Sequence, residues 1–258
     1  MSANQLYKNM TKKLTGLTGG KRMFEIFRDF TELFALSLRN VVDKASWQDR
    51  EDRYLEVAKG YTRDQLETMA EVMALVVTQM EVHPEDVLGR LYMELEVSND
   101  ARGQFFTPYE IAKLMASMQF EDMPDEGKEF ITIYEPACGA GAFMIAIAQE
   151  LRQQQRQFHV TAEDIDPVAV HMAYIQFTLL DIPAIVYHRD TLTQETYDAW
   201  PTMAHVRDLW THKLQRGAKQ VTQQPVNDNT HSPQPDVQTV FTDTGQGAFD
   251  FVLEGANT

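Results

Sequence analysis

Residues 130–142 read Phe-Ile-Thr-Ile-Tyr-Glu-Pro-Ala-Cys-Gly-Ala-Gly-Ala, and this stretch decides how the rest of the chain is interpreted. Its first five residues are β-branched or aromatic, which is typical of a short buried strand. Gly139 and Gly141 let the chain turn tightly and let a ligand approach the backbone, although a glycine pair also occurs in ordinary turns. Residues 143–151 follow a helical pattern, and the start of such a helix offers free amides to an anionic group.

Two more predicted strands follow at regular intervals. Residues 158–162 and 184–188 are short apolar runs with strand-forming side chains, and residues 168–180 between them predict a helix. Strand, helix, strand, helix and strand at these lengths predict a parallel sheet with right-handed crossovers. The second half of the chain is therefore predicted to have an α/β fold.

An aspartate follows the second and the third predicted strand. Asp164 stands where an ionised carboxylate can accept hydrogen bonds from both hydroxyls of a ribose. Asp190 stands where it can accept from an adenine amino group, and Ile165 can pack against the adenine face. Each aspartate alone is more often a helix cap, but the carboxyl ends of neighbouring parallel strands form the crevice where such sheets bind ligands. We therefore expect a nucleoside-shaped site at this edge.

The residues before the sheet are predicted to be helical. Apolar residues recur at three- and four-residue spacing from Phe24 onward. Thr62 and Gln65 form a capping-box pattern at the start of a second helix, and Pro84 suits the first turn of a third. These patterns predict a helical N-terminal domain over residues 1–102.

The second predicted domain covers residues 103–258 and becomes irregular after the third strand. Residues 199–215 show an amphipathic helical pattern. Residues 217–246 are rich in Gln, Asn, Thr, Asp and Pro, and this composition predicts a long mobile polar loop. Residues 249–253 are mostly apolar and predict one further strand.

Charge is distributed unevenly along the chain. The net charge is -15; residues 1–102 hold 14 Lys and Arg against 17 Asp and Glu, whereas residues 103–258 hold 9 against 21. This balance is unusual for a protein that meets DNA, because affinity for DNA comes mainly from neutralised phosphates. A basic cluster near the start is interpreted either as a solvated surface or as a contact for DNA or a partner. Its members are Lys8, Lys12, Lys13, Lys21, Arg22 and Arg28.

Several classes of protein are not expected from this sequence. No apolar run approaches the roughly 18 residues that a membrane helix needs, and the polar start lacks the apolar middle of a secretory signal. The single cysteine, Cys138, excludes a disulfide within the chain, which favours a bacterial-type cytoplasm. The histidines show no metal-ligand spacing with this cysteine, so we expect no metal.

Four motifs, taken in order, resemble the modification subunits of type I restriction systems, a family of N6-adenine DNA methyltransferases. They are Gly103-Gln104-Phe105-Phe106-Thr107-Pro108, Glu135-Pro136-Ala137-Cys138-Gly139-Ala140-Gly141, Asp164-Ile165-Asp166-Pro167 and Asp190-Thr191-Leu192. The similarity covers roughly residues 85–195. It implies a Rossmann-like methyltransferase sheet, incomplete at its C-terminal end, and S-adenosylmethionine (AdoMet) as the cofactor. It also implies that DNA is met through or with a partner, such as a specificity or defence-complex subunit.

The resemblance also assigns parts of the cofactor to residues. The methionine end is assigned to Phe106, Thr107, Pro108, Glu135, Pro136, Ala137, Gly139 and Gly141. The ribose and adenine are assigned to Asp164 and Ile165, and the adenine amino group to Asp190 with the adjoining Thr191.

The sequence differs from the family at the family's catalytic element. That element is Asn or Asp followed by two prolines and an aromatic residue, which accept the amino hydrogens of a flipped adenine and stack on its ring. The chain has ten prolines and no two of them are adjacent. Residues 255–258 stand where the element is expected, so that Asn257 is a weak candidate for the acceptor and the catalytic residues are otherwise unknown.

Three functions are compatible with this pattern. The first is an AdoMet-dependent adenine-N6 DNA methyltransferase with an unusual or partner-completed active site. The second is a catalytically inactive AdoMet-binding modulator of a modification, restriction or defence complex, which the acidic second half favours. The third is methyl transfer to a substrate other than DNA.

Overall fold

The computed structural model describes residues 3–95, 106–120, 127, 129–223, 239–243 and 249–253, with side chains from residue 4 through residue 217 of these ranges. The helices are α1 Ala3–Thr15, α2 Met23–Val42, α3 Trp47–Ala58, α4 Arg63–Val82, α5 Val87–Glu94, α6 Tyr109–Phe120, α7 Ala142–Gln153, α8 Pro167–Leu179, α9 Met203–Arg207 and α10 Trp210–Gln223. The strands are β1 Ile131–Glu135, β2 Phe158–Asp164, β3 Ala184–Asp190, β4 Glu195–Pro201, β5 Thr239–Asp243 and β6 Phe249–Leu253.

The chain divides into two compact units, one through Asp208 and one from Leu209 onward. The second unit contains α10 and the antiparallel pair β5–β6, so the strand predicted over 249–253 is confirmed. Within residues 217–246, predicted as a loop, α10 continues to Gln223 and β5 forms a strand; the other residues of that segment lie outside the described part. The predicted boundary at residue 102 also lies outside it, and the division into two domains there stays a prediction.

The first unit is built on a four-stranded sheet in the order β1-β2-β3-β4. The pairs β1–β2 and β2–β3 are parallel, and α7 and α8 make the connections between these strands. The three predicted strands, the two predicted helices and the α/β fold class are therefore confirmed. Because parallel strands connected by helices end at the same edge, the turns after β1, β2 and β3 are neighbours.

The helix predicted over residues 199–215 is wrong in its first part. Residues 195–201 instead form β4, which pairs antiparallel with β3 and places Trp200 in the core. Pro201 lacks the amide that a helix interior needs, and the Thr202 hydroxyl accepts from the His205 amide as the cap of the short helix α9. The backbone then breaks at Leu209, whose φ of 54° is left-handed, before α10 begins.

The predicted helices of the N-terminal region are confirmed, with one correction. At the start of α4, the Thr62 hydroxyl accepts from the Gln65 amide at 3.3 Å and Gln65 accepts from the Thr62 amide at 2.9 Å, as the capping-box pattern predicts. The third predicted helix corresponds to α5, which begins at Val87 rather than near Pro84. Its cap is Asp86, whose carboxylate accepts from the Gly89 amide at 2.8 Å. A carboxylate cap outweighs the first-turn preference of proline here.

Helix α8 joins the sheet to the N-terminal helices. Every residue from Val168 to Phe177 is buried, including the polar His171 and Gln176, so this helix is covered on all sides. It contacts β2 and β3 on one side and α2 and α5 on the other. The side chains that line the site at the carboxyl edge of the sheet are thereby positioned by a core that includes both the sheet and the N-terminal helices.

None of the helices in the described part of the chain is both long enough and apolar enough to span a lipid bilayer.

Candidate cofactor-binding site

The turn between β1 and α7 has the backbone that its glycines predict. Gly139 and Gly141 have φ values of 55° and 94°, both in the left-handed region that side chains rarely adopt. A Cβ at Gly139 would lie 2.8 Å from Phe106 Cδ1, and one at Gly141 would lie 2.5 Å from Phe177 Cε1. Both positions thus require glycine for backbone conformation and for packing.

The carboxylate of Asp164 is hydrogen-bonded to this turn. Its Oδ2 accepts from the Gly139 amide at 2.8 Å and its Oδ1 accepts from the Asp166 amide at 2.9 Å. Each carboxylate oxygen has a second lone pair, so acceptor capacity for ribose hydroxyls remains. Burial raises the pKa of Asp164 against the lowering effect of these amide hydrogen bonds.

The starts of α7 and α8 differ in a way that bears on anion binding. At α8, the Asp166 side chain caps the helix by accepting from the Val168 amide at 2.9 Å. At α7, the cap position is Gly141, which has no side chain to bond the first amides. The free amides and positive end of the α7 dipole therefore face the turn and suit a carboxylate ligand.

One of the three residues of the Phe-Thr-Pro element, Phe106, lies beside the glycine turn. The half-buried Phe106 ring packs against Gly139 and makes an edge-on contact with Tyr92, with the ring centroids 5.0 Å apart. Thr107 and Pro108 are exposed immediately before α6. Phe106 therefore lies next to the glycine turn, whereas contacts of Phe106, Thr107 and Pro108 with a cofactor stay predictions.

The remaining residues that were predicted for this end line the rim of the turn. Glu135 is half-buried and its Oε1 accepts from the amide of Ala137 at 3.3 Å; burial raises the pKa of this carboxyl group. Pro136 and Ala137 are exposed.

Ile165, predicted for the adenine face, is an exposed apolar side chain with 58% of its surface accessible, and its carbonyl contacts His188 Nε2 at 3.1 Å. An exposed isoleucine beside Asp164 is suitably placed for an adenine face.

Asp190 lies at the same edge of the sheet but bonds differently from Asp164. Its Oδ1 accepts from the amides of Leu192 and Thr193 at 2.9 and 3.2 Å, and these bonds lower its pKa. The neighbouring Thr191 hydroxyl bonds the Pro136 carbonyl at 2.8 Å. The structure thus brings the turns after β1 and β3 together through Thr191, while the Asp190 carboxylate is engaged by its own turn.

A buried ion pair under this edge is missing from the sequence prediction. Glu163 and Arg189 precede Asp164 and Asp190 directly, and their side chains form an ion pair at 2.9 Å. Both residues are buried, and Glu163 has only 1% of its surface exposed. Two opposite charges one residue before the last of neighbouring strands are the signal that could have indicated the pair. Glu163 is opposite Tyr187, and Arg189 is two residues further along β3 and therefore on the same face.

A second buried network holds the glycine turn from the side of the helices. The Gln176 amide nitrogen donates to Asp86 Oδ1 and to the Ala140 carbonyl, both at 2.8 Å, and its oxygen accepts from the Leu88 amide at 3.0 Å. Burial raises the pKa of Asp86. The turn, α5 and α8 are therefore connected through one buried side chain, a contact between distant residues that local sequence patterns do not reveal.

The other predicted site features lie partly outside this edge. Burial raises the pKa of Cys138 well above its ordinary value, which disfavours the thiolate form that a nucleophile needs. Asn257 lies outside the described residues. In the described part of the chain, no three His, Cys, Asp or Glu side chains are arranged to hold a metal ion.

Ion pairs engage most of the predicted basic cluster. Lys13 pairs with Glu71, Arg22 pairs with Glu25, and Lys21 and Arg28 both pair with Asp29. Four of its six members are therefore already partly neutralised, which weakens the interpretation of this cluster as a phosphate contact.

Comparison with known proteins identifies a family for this chain. The family model described as N-6 DNA Methylase matches residues 84–216, which is just over half of the chain. This chain belongs to the N-6 DNA Methylase family. AdoMet is the cofactor of that family, and the matched segment contains the glycine turn, Asp164 and Asp190.

Individual relatives match the chain over part of their length. The methylase subunit of the type I restriction enzyme MjaIX from Methanocaldococcus jannaschii is 24% identical in an alignment of 127 residues, which covers 44% of this chain and 22% of that subunit. A solved methyltransferase subunit of a type I restriction-modification system from Streptococcus thermophilus is 23% identical with a TM-score of 0.41, covering 73% of this chain and 40% of its own. A Listeria monocytogenes structure assigned as a class I S-adenosylmethionine-dependent methyltransferase is 15% identical, with a TM-score of 0.44 and coverages of 76% and 57%. The chain thus spans about a fifth of the curated subunit.

The residues at the carboxyl edge fit AdoMet by the chemistry of their donors and acceptors. The uncapped start of α7 suits the carboxylate of the methionine part, and Asp164 suits the ribose hydroxyls. The exposed Ile165 offers an apolar surface for the adenine. When bound, AdoMet would supply an electrophilic methyl group, and the residues described here would hold and orient it.

Proposed function

We propose that this chain binds AdoMet at the carboxyl edge of its sheet and serves adenine-N6 methylation of DNA, together with a partner. The observation that carries the proposal is the meeting of three strand ends. Gly139 and Asp164 join the turns after β1 and β2, and Thr191 and Pro136 join those after β3 and β1. The site residues that this proposal uses are those predicted from the sequence, from Phe106 to Thr191.

DNA and a specificity-type partner enter the proposal through the relatives. Two relatives are described as methylase or methyltransferase subunits of type I restriction systems, and a subunit acts within an assembly. A location in the cytoplasm belongs to the same proposal. Because the chain covers a fraction of those subunits, the activity of a whole subunit is carried over here as a hypothesis for testing.

A second function is favoured by one specific observation. The 258 residues contain no pair of adjacent prolines, and so they lack the Asn or Asp-Pro-Pro-aromatic element in its usual form. Loss of one preorganised polar contact can cost on the order of a hundredfold to a thousandfold in rate. Because these 258 residues do not supply the two acceptors and the stacking ring in that form, AdoMet binding without methyl transfer, as in a modulator of a modification complex, is the second function to test for them.

Calorimetry with AdoMet tests the shared part of both functions. We expect the wild-type chain to bind, and Asp164→Ala to weaken binding by about 10- to 100-fold, because a carboxylate hydrogen bond contributes roughly 1.5–3 kcal/mol. The matched control is Asp181→Ala, which removes a carboxylate at the opposite end of β3 that pairs with Arg207. Absence of wild-type binding, or equal loss in both variants, would contradict the proposed site.

Transfer of a labelled methyl group separates the two functions. The purified chain is incubated with labelled AdoMet and unmethylated plasmid DNA, and the label on DNA is counted. Transfer that disappears in Asp164→Ala supports the methyltransferase, and tight binding without transfer supports the modulator. Label appearing on protein or RNA but not on DNA would instead favour a different methyl acceptor.

A further inference from the structure

The Glu163 carboxylate contacts all the strand ends that form the site. Its Oε2 accepts from the Tyr134 hydroxyl on β1 at 3.1 Å and from the Thr191 hydroxyl after β3 at 3.2 Å. Its Oε1 accepts from Arg189 Nη1 on β3 at 2.9 Å. One side chain on the central strand β2 therefore links β2 to the carboxyl ends of both neighbouring strands.

The same group of side chains reaches the glycine turn. The Thr191 hydroxyl proton is shared between Glu163 and the Pro136 carbonyl, which lies 2.8 Å away in that turn. The Glu163 backbone carbonyl also accepts from the Cys138 amide at 2.8 Å. Arg189 is held on its far side by Gln194 Oε1 at 2.7 Å. The Glu163 network, defined as Tyr134, Glu163, Arg189, Thr191 and Gln194, is thus placed to set the separation of the turns after β1 and β3.

Stability alone is a poor reason for this network. A buried ion pair commonly costs as much in lost hydration as it returns, and well-packed apolar residues are often as stable or more stable. Among the described residues, the buried Arg189 Nε atom moreover has no hydrogen-bond partner, which adds to that cost. A directional network that links three strand ends, on the other hand, restricts their geometry in a way that apolar packing does not.

We propose that Glu163 and Arg189 are positioning residues, which hold the glycine turn and the Asp190–Thr191 turn at the separation that AdoMet requires. The inference rests on the proposed function for its ligand, but its geometry is tested in the ligand-free protein as well. Glu163 and Arg189 act through the turns and touch no part of the cofactor in this assignment. They face away from Asp164 and Asp190, their immediate neighbours in sequence, because alternate strand residues point to opposite faces.

The first test measures AdoMet affinity by calorimetry in Glu163→Gln. This change keeps the size of the side chain but removes the charge that orders Arg189, and we expect the Kd to rise about tenfold, as for the loss of one charge-assisted hydrogen bond. The matched control is Asp43→Asn, which removes the carboxylate partner of Arg50, another buried arginine. A comparable loss of thermal stability is expected in both variants, with the Kd unchanged in Asp43→Asn.

A double-mutant cycle checks that the effect passes through Glu163. Tyr134 is largely exposed, so Tyr134→Phe should fold normally and raise the Kd by about two- to threefold. In the Glu163→Gln background the same change should add less, because the two groups act as one unit. If Glu163→Gln does not fold, the Kd of Tyr134→Phe decides. The proposal is overturned if Glu163→Gln folds and has the wild-type affinity for AdoMet. If that variant does not fold, it is overturned if Tyr134→Phe has the wild-type affinity.

Hydrogen exchange without ligand separates this inference from the proposed function. The amides of Cys138, Gly139 and Gly141 are hydrogen-bonded within or next to the turn. Glu163→Gln should speed their exchange about tenfold relative to the wild type, and Asp43→Asn should leave it unchanged. If Glu163→Gln exchanges faster but the wild-type protein binds no AdoMet, the positioning role is retained and the cofactor assignment is rejected. Unchanged exchange would reject the positioning role itself.

Discussion

At one end of the candidate site, the glycine turn is hydrogen-bonded to the core from several sides; at the other, Asp190 is engaged by its own turn. The first end is bonded by Asp164, by the Glu163 carbonyl and by Gln176 behind Ala140. Asp190 accepts from the amides of Leu192 and Thr193. In the proposed assignment, the end for the methionine and ribose parts is held by hydrogen bonds between strands, whereas the Asp190 carboxylate, assigned to the adenine amino group, is held by amides of its own turn. Substitutions should therefore have unequal effects at the two ends.

The largest effect is expected for Gly141→Ala. The new Cβ would combine a left-handed φ of 94° with a clash 2.5 Å from Phe177 Cε1, and we expect a loss of roughly 2–4 kcal/mol in the free energy of unfolding. Denaturation by urea measures it. The control is Gly20→Ala, which has a φ of 105° but no atoms near its Cβ position, so its loss reports backbone strain alone. Equal losses would show that Phe177 yields and that this end is less rigid than described.

The two aspartates should also differ in their response to pH. Burial raises the pKa of Asp164, and amide hydrogen bonds lower that of Asp190. As the pH falls from neutral toward the raised pKa, Asp164 gains a proton first and loses acceptor capacity while Asp190 remains ionised. Below that pKa, the affinity for AdoMet should fall by about tenfold per pH unit.

Calorimetry from neutral pH down to the lowest pH at which the protein stays folded checks this order of protonation. Asp164→Asn should bind AdoMet weakly with a flatter pH profile, and Asp190→Asn should retain the wild-type profile. Glu135→Gln is the necessary comparison, because burial also raises the pKa of Glu135. A profile that flattens in Glu135→Gln and not in Asp164→Asn would move the titration to the rim of the turn.

The smallest effect is expected for Asp190→Asn. An asparagine oxygen can still accept from the turn amides, so stability should change by less than about 1 kcal/mol. The affinity for AdoMet should fall by about two- to fivefold, since a neutral acceptor binds the adenine amino group more weakly. An AdoMet analogue whose base lacks the adenine amino group should bind Asp190→Asn and the wild type with equal affinity. A loss as large as that of Asp164→Ala would mean that both ends are equally constrained.

The prediction of strands and helices succeeded where local patterns suffice. The β-branched run before the glycine turn and the capping pattern of Thr62 and Gln65 depend on neighbours within a few residues, and the structure confirms both. The strand β4 did not follow from its own sequence. Its residues form a strand because β3 offers an edge to pair with, and Pro201 and Thr202 then delay the start of the helix.

The site shows the same division between local and distant causes. Placement of Asp164 beside the glycine turn was predictable, since parallel strands carry their turns to one edge. The ion pair of Glu163 with Arg189 and the bonds of Gln176 to Ala140 and Asp86 were not, because they join residues 26 to 90 positions apart.

By itself, the sequence determined the alternation of strands and helices, the order of the motifs and the absence of adjacent prolines, because each of these is a local property of the chain. Only the tertiary structure decided which carboxylates are preformed for a ligand. That outcome depends on burial and on hydrogen bonds between separate strands, which arise when the chain packs.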